Sequence, residues 1–277
     1  MTAIHVTLPI RAILLCMVIS PLFCGCDQEK ISYGLYPDAT VQEAGSMSES
    51  SHPIWWVNSG GYMYIDNFIG RTVQGVLPPT DQWRKLYARN NPVDTDNGTH
   101  PQNIFRLIIK KRWTNINQLA YFRMNACNTS DSPQRAGDNG IVIFSRYDDE
   151  DNLYYAGIRV DGRAVIKKKQ NGSYSTLASK SFFPGSYDRI KNPNLIPMNK
   201  WIGLYMSVTN LVDGTAHISL AIDKGNHTAG ESWIMAVEAH DSGGADRPII
   251  GSGHAGIRTD FMDVEFKGYI VREIDSP

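Results

Sequence analysis

Near the C-terminus, Asp260-Phe-Met-Asp-Val-Glu265 carries carboxylates at a spacing that suggests chemistry. Side chains alternate along an extended strand, so Asp263 and Glu265 share a face roughly 7 Å apart. Two carboxyls so placed can act as acid and nucleophile, or acid and base, on a glycosidic bond. His217 is a second candidate, the one strand histidine in a polar-face setting. A His or Tyr base beside a cation is what β-elimination of a uronate requires. The third set is basic and aromatic: Arg106, Arg146, Arg159 and Lys168, with Tyr147, Tyr155 and Tyr205. Guanidinium and ammonium groups can hold an anionic glycan while tyrosine rings stack on sugar C–H faces. Lys167 and Lys169 face opposite to Lys168. Lysines there equally fit an edge strand protected against pairing.

Two acidic turns offer oxygen ligands for calcium, Asp94-Thr-Asp-Asn-Gly98 with Asp94 and Asp96, and Asp148-Asp-Glu-Asp-Asn152 with Asp148 and Asp151. Neither turn alone supplies the six to eight oxygens that calcium takes. The chain has no Cys/His set at zinc spacing, no Gly-x-Ser-x-Gly elbow and no phosphate-cradling glycine loop.

The elements that must position these residues are strands. Residues 151–160 put Tyr155, Gly157 and Arg159 on one face and Tyr154, Ala156, Ile158 and Val160 on the other. Asp161-Gly162 then predicts a two-residue hairpin turn into the basic strand that ends at Lys169. Residues 104–113 alternate, with Phe105, Leu107 and Ile109 on one side. Residues 201–209 and 215–223 alternate about the turn at Asp213-Gly214, with Ile202, Leu204, Met206 and Val208 inward. Further strands are predicted over 62–65, 118–124, 140–147, 231–241 and 261–271, with no sustained helical period. Many strands with turn signals between them predict an all-β fold, a two-sheet antiparallel jelly-roll sandwich.

The first 25 residues hold one charged residue, Arg11, and the apolar run Ala12-Ile-Leu-Leu-Cys-Met-Val-Ile19. That length predicts a secretory signal rather than a membrane span. Leu22-Phe-Cys-Gly-Cys26 resembles a bacterial lipobox, which implies a lipidated Cys26 and a protein held to a membrane of the cell envelope by that anchor. Residues 26–52 lack periodicity and read as a flexible tether; 53–277 read as the folded domain. Cys127 is then the one cysteine left in the domain, so no internal disulfide is expected. The whole chain holds 27 basic and 28 acidic residues, with no global basic field to recruit nucleic acid.

Several pieces, in order, are similar to the concanavalin A-like lectin/glucanase superfamily, which includes laminin-G-like and glycosidase-associated modules. They are the Tyr154-to-Gly162 hairpin, Lys200-Trp-Ile-Gly-Leu with its following strands, and Gly253-His-Ala-Gly-Ile-Arg258 with the closing strand. The resemblance implies two curved sheets, the concave one binding a polysaccharide or oligosaccharide, and often one structural calcium ion. Laminarinase-like members carry Glu-x-Asp-x-Glu on a mid-chain strand; here Phe261 takes the first place and the segment closes the chain. Alginate-lyase-like members resemble Tyr155-Ala-Gly-Ile-Arg-Val loosely, but their Gln-x-His pair is missing. The expectation is therefore a membrane-anchored carbohydrate-binding protein needing no cofactor. A glycoside hydrolase or polysaccharide lyase is the alternative, and a structural module with a protein partner is the third reading. Tyr155→Ala and Arg159→Ala are expected to abolish glycan retention at little cost to stability.

Overall fold

Period-two alternation builds two antiparallel sheets whose apolar faces meet. The computed structural model describes residues 31–32, 35, 37–225, 233–244 and 246–275. The expected signal and Cys26 lie outside the described residues. The larger sheet runs, in spatial order, β14 (Trp233–Asp241), β13 (Ala216–Asp223), β12 (Trp201–Asn210), β7 (Ile116–Cys127), β16 (Met262–Glu273), β5 (Ile69–Thr72), β4 (Tyr62–Asp66) and β2 (Ala39–Gln42). A short β1 (Ile31–Ser32) also pairs with β16. The seven-stranded sheet runs β11 (Ser173–Ser181), β10 (Arg163–Gln170), β9 (Asn152–Arg159), β8 (Gly140–Asp149), β15 (Gly253–Asp260), β6 (Ile104–Trp113) and β3 (Trp55–Ser59). Neighbours in space are often distant in sequence, as in β7 beside β16 and β8 beside β15, and the fold is a jelly-roll sandwich.

The inward faces are those the alternation predicts. Ile202, Leu204, Met206, Val208, Ile218, Leu220 and Ile222 from one sheet meet Ile141, Ile143, Tyr154, Ala156, Ile158, Ala164 and Ile166 from the other. Each such aliphatic side chain contributes about 1.5–3 kcal/mol by leaving water. The Trp55 ring stacks on Tyr269 across the sandwich, with centroids 5.7 Å apart.

Three expectations are corrected. Residues from 39 onward are part of the sandwich rather than a tether running to residue 52: β2 pairs with β4, Val41 is buried, and the Trp56 indole donates to the Ala44 carbonyl at 2.8 Å. A helix exists, α1 (Gln82–Asn90), where none was predicted; Asp81 caps it by accepting from the backbone N–H of Trp83 at 2.7 Å and Arg84 at 3.3 Å. Only Tyr87 of that helix is buried, so it has no long apolar stripe to read. The β9–β10 turn has three residues, 160–162, and Gly162 alone takes a positive φ, +80°.

Two cations expected on a ligand face are buried instead. β8 bulges at Arg146, whose φ is +55°, and the ladder to β9 shifts register after Ser145. The bulge turns the guanidinium inward to donate to the carbonyls of Thr114 at 2.6 Å and Ile249 at 2.6 Å, and to Asn210 and Asn115. Burial lowers the pKa of that group to about 10. Lys168 shares the inward face of Ala164 and Ile166, and its Nζ lies 3.0 Å from Asp241, with the two side chains 4% and 1% exposed. Asp241 also accepts from the Tyr154 hydroxyl at 2.6 Å. This knot ties β9 and β10 to β14. Removing one partner leaves the other charge buried and unpaired. Lys168→Ala is expected to lose about 3–5 kcal/mol in chemical denaturation, and Lys167→Ala, one residue away on the outer face, less than about 1 kcal/mol.

Candidate functional site: a cleft on the outer face of the seven-stranded sheet

The alternation that sends Tyr154, Ala156 and Ile158 inward sends Tyr155, Gly157 and Arg159 outward. Register then assembles the outer face across strands. Lys167 of β10 lies opposite Tyr155, Val142 of β8 opposite Gly157, and Arg258 of β15 opposite Val142. A cleft of about 640 Å3 opens over these residues, walled by Tyr174 and Thr176 of β11 and by the loop carrying Gln134, Asp138 and Asn139. Between Tyr155 and Arg159 only glycine fits: a Cβ on Gly157 would lie 2.2 Å from the Ile141 carbonyl oxygen.

The aromatic part has a buried and an exposed ring. Tyr155 is 3% exposed and meets Phe144 edge-on at 6.2 Å. Tyr174 stacks on Tyr155 at 6.2 Å and is 52% exposed. Beside them on the same face of the sheet, Trp56, Ile108, Phe144, Tyr147 and Leu153 form a second apolar cluster with Tyr155. Tyr155 is thus a packing residue as well as a cleft wall, and the expected indifference of stability to Tyr155→Ala is corrected: truncating an enclosed aromatic costs about 3–5 kcal/mol. Burial, opposed by Arg258, pushes the Tyr155 phenol up to about 12.

The polar part is made of ion pairs. Arg258 Nε donates to Asp260 at 2.9 Å, and its Nη1 reaches the hydroxyls of Tyr155 at 3.4 Å and Tyr174 at 3.3 Å. Arg159 donates to Asp161 at 2.7 Å, and Lys167 to Asp138 at 3.1 Å. Burial works against the Asp138 carboxylate, but Lys167 and Arg159 outweigh it and hold the group below the usual carboxylate range.

Of the residues singled out from sequence, Tyr155 and Arg159 line this cleft. Arg106 lies on the same sheet beyond β15 and Tyr147 near the end of β8, with the guanidinium 5.9 Å from the ring centroid and bonded to Asn58 at 3.0 Å. Arg146 and Lys168 are buried, as above. Tyr205 belongs to the other sheet and packs edge-on against Trp233 at 6.1 Å. His217, also there, stacks on His240 at 4.6 Å.

The carboxylates of β16 are tied into the larger sheet. Asp263 accepts from the Gln102 amide at 2.8 Å, the Asn128 amide at 3.1 Å and the Gly75 backbone N–H at 2.7 Å. Glu265 is clamped between Arg71 and Arg123. Neither joins the cleft, so the acid pair read from their spacing is corrected.

The turn carboxylates expected to suit calcium are also engaged. Asp94 accepts from Ser132 at 2.6 Å, and Asp96 from Ser130 at 2.5 Å and Asn103 at 3.2 Å. Asp148 pairs with Arg112, and Asp151 with Lys169. Among the described residues no group of three or more His, Cys, Asp or Glu side chains is placed to share a metal ion.

Sequence reasoning read Arg258 and Asp260 in other motifs without placing them in a binding site, and missed Asp138 and Tyr174. Arg258-Thr-Asp260 carries a signal in retrospect, a cation and an anion two apart on one strand. Tyr174 lies in a Ser-rich strand that was not predicted, and Asp138 in a loop that only the fold brings near.

No protein-family model matches the chain, and no curated protein matches it. Solved structures of similar shape include a carbohydrate-binding module, CBM66, from Bacillus subtilis. It has a TM-score of 0.43 and 13% identity over 61% of this chain and 82% of that one. Another is a Bacillus subtilis protein of unknown function with a galectin-like fold, with a TM-score of 0.45 and 12% identity over 80% and 90% of the two chains. A third is the carbohydrate recognition domain of Emp46p in its metal-free form, with a TM-score of 0.45 and 9% identity over 88% and 97%. At such identities the likeness is one of fold alone.

The Glu265 clamp has a pH signature. Burial raises its pKa, but the hydrogen bonds from Arg71 and Arg123 win, and the folded pKa lies below the ordinary one. Its contribution to stability is therefore complete above the ordinary glutamate range and is lost as pH falls through the lowered pKa. Glu265→Gln is expected to be less stable than the parent protein at pH 7, with the gap closing towards pH 3, as read by urea denaturation at both values.

Proposed function

We propose that this protein binds a carbohydrate through the cleft on its seven-stranded sheet, and that it is exported and held to a membrane by a lipid on Cys26. One observation carries the binding reading: the half-exposed Tyr174 ring beside the Arg258–Asp260 pair in an open cleft. A ring face offers the apolar C–H surface of a sugar a stacking partner, and the ion pairs offer its hydroxyls donors and acceptors.

Enzymatic readings draw less support from the same groups. A glycosidase needs a carboxyl held protonated at working pH. Asp138 is held ionised instead, and Asp260 is engaged by Arg258. A lyase needs a Tyr or His base near neutral pH. The Tyr155 phenol at about 12 does not serve, and His217 is on the other sheet. For a protein-binding module, exposed apolar side chains such as Phe68, Ile190 and Val212 sit on three separate loops, and Ile234 and Met235 make one adjacent pair on β14.

A glycan array probed with the full-length protein tests the reading, beside assays for reducing ends and unsaturated uronates. Tyr174→Ala and Arg258→Ala are each expected to weaken retention by at least about tenfold, equivalent to about 1.4 kcal/mol. Tyr174→Ala should leave the thermal midpoint unchanged; equal retention by both variants and the parent overturns the assignment of the cleft. For the anchor, Cys26→Ser is expected to abolish incorporation of labelled fatty acid and to release the protein from membranes. Unchanged membrane recovery would refute lipidation.

A further inference from the structure

We propose that the cleft selects uncharged sugar rings and disfavours uronates and sulfate esters, an inference that rests on the glycan reading above. The presence of several cations on this face suggests an anionic ligand, but the pairing of those cations argues otherwise. Arg159 has Asp161 at 2.7 Å, Lys167 has Asp138 at 3.1 Å, and Arg258 has Asp260 at 2.9 Å. Lys169, beside Tyr174, has Asp151 at 2.9 Å. Asp138 and Asp260 are themselves cleft-lining residues. A carboxylate or sulfate entering here meets cations whose charge is already offset by a partner at hydrogen-bond distance. It must also approach two fixed negative charges in a site partly shielded from water.

An uncharged hydroxyl meets no such penalty, since it donates and accepts at once. Arg258 and Asp260 stand two apart on β15 and both line the cleft. Among the described residues, Arg258 Nη2 and Asp260 Oδ2 make no hydrogen bond, so each ion pair member keeps one polar atom for a ligand. Donor and acceptor side by side suit two hydroxyls of one ring. The Tyr155 and Tyr174 hydroxyls, both reached by Arg258 Nη1, extend the polar row. Arg106, the cation cross-strand from Arg258, is engaged with Asn58 and lies against the Tyr147 ring, and Glu150 is 3.8 Å away. It adds no unmatched positive charge to the cleft.

Calorimetric titration of the full-length protein tests the proposal, using neutral hexose oligosaccharides and their uronate and sulfated counterparts in low and high salt. The neutral series is expected to bind at least about tenfold more tightly, with an affinity that moves less than about twofold with salt, because no net charge is there to be screened. Asp138→Asn and Asp260→Asn each unpair one cation. Both are expected to narrow the gap by admitting the acidic series in low salt, and Asp138, half exposed, can be replaced without threatening the fold. Tighter binding of the acidic series by the parent protein, weakened by salt, overturns the selectivity and leaves glycan binding standing. Binding of no saccharide in either series overturns both.

Discussion

The constraint on which the rest of this structure depends is the sealing of two sheets against each other. Tyr154, Ala156, Ile158, Ala164 and Ile166 must face Ile202, Leu204, Met206, Val208 and Ile218 for the sandwich to bury its apolar area. Once they do, the pleat leaves no choice about the alternate positions. Tyr155, Gly157, Arg159, Val165 and Lys167 are forced to the outer face, and strand register sets Val142 and Arg258 beside them. The cleft is thus a by-product of core formation, and its composition can vary with little consequence for the fold wherever the side chain is exposed.

Polar groups that break the pattern are paid for inside the sandwich. Arg146 faces inward because β8 bulges, and its donors are satisfied by carbonyls and amides from three separate segments of the chain. Lys168 faces inward by ordinary alternation and is neutralised by Asp241, which Tyr154 and the Gly243 N–H also hold. Both cations reach the segment before β15, through the Ile249 carbonyl and the carbonyls of Asp246 and Arg247. That segment leads into the strand carrying Arg258 and Asp260, so buried charge contributes to the position of this cleft-lining pair. On the opposite sheet, Asp263 and Glu265 do comparable work by joining β16 to the residues around Gly75, Gln102 and Arg123.

The chemistry of the cleft follows from pairing rather than from content. Counting side chains alone gives a cationic, aromatic face. With partners included, each lining cation has its carboxylate, and the two tyrosines have divided roles: Tyr155 is walled in by Phe144, while Tyr174 is left open to solvent. The same pairing keeps Asp138 ionised, and burial keeps the Tyr155 phenol protonated. Such groups hold and orient a polyhydroxylated ligand well, and move protons poorly near neutral pH.

Local sequence was enough for the class of the fold and for most inward faces, because period-two alternation is a property of the backbone and needs no partner to be read. It was enough, too, to put Tyr155, Gly157 and Arg159 on one surface. It was not enough for α1, whose single buried residue leaves no stripe, nor for the Ser-rich β11. Nor could it distinguish Lys168 from Lys167 as a ligand group, since the partner that decides, Asp241, lies 73 residues away. The carboxylates misled for the same reason: Asp263 and Glu265 share a strand face as their spacing says, but that face meets Gln102, Asn128, Arg71 and Arg123. Which face a residue occupies is set by its neighbours in the chain. Whether it is free to act is set by what the other strands bring within about 3 Å of it, the reach of a hydrogen bond, and that only the assembled sandwich decides.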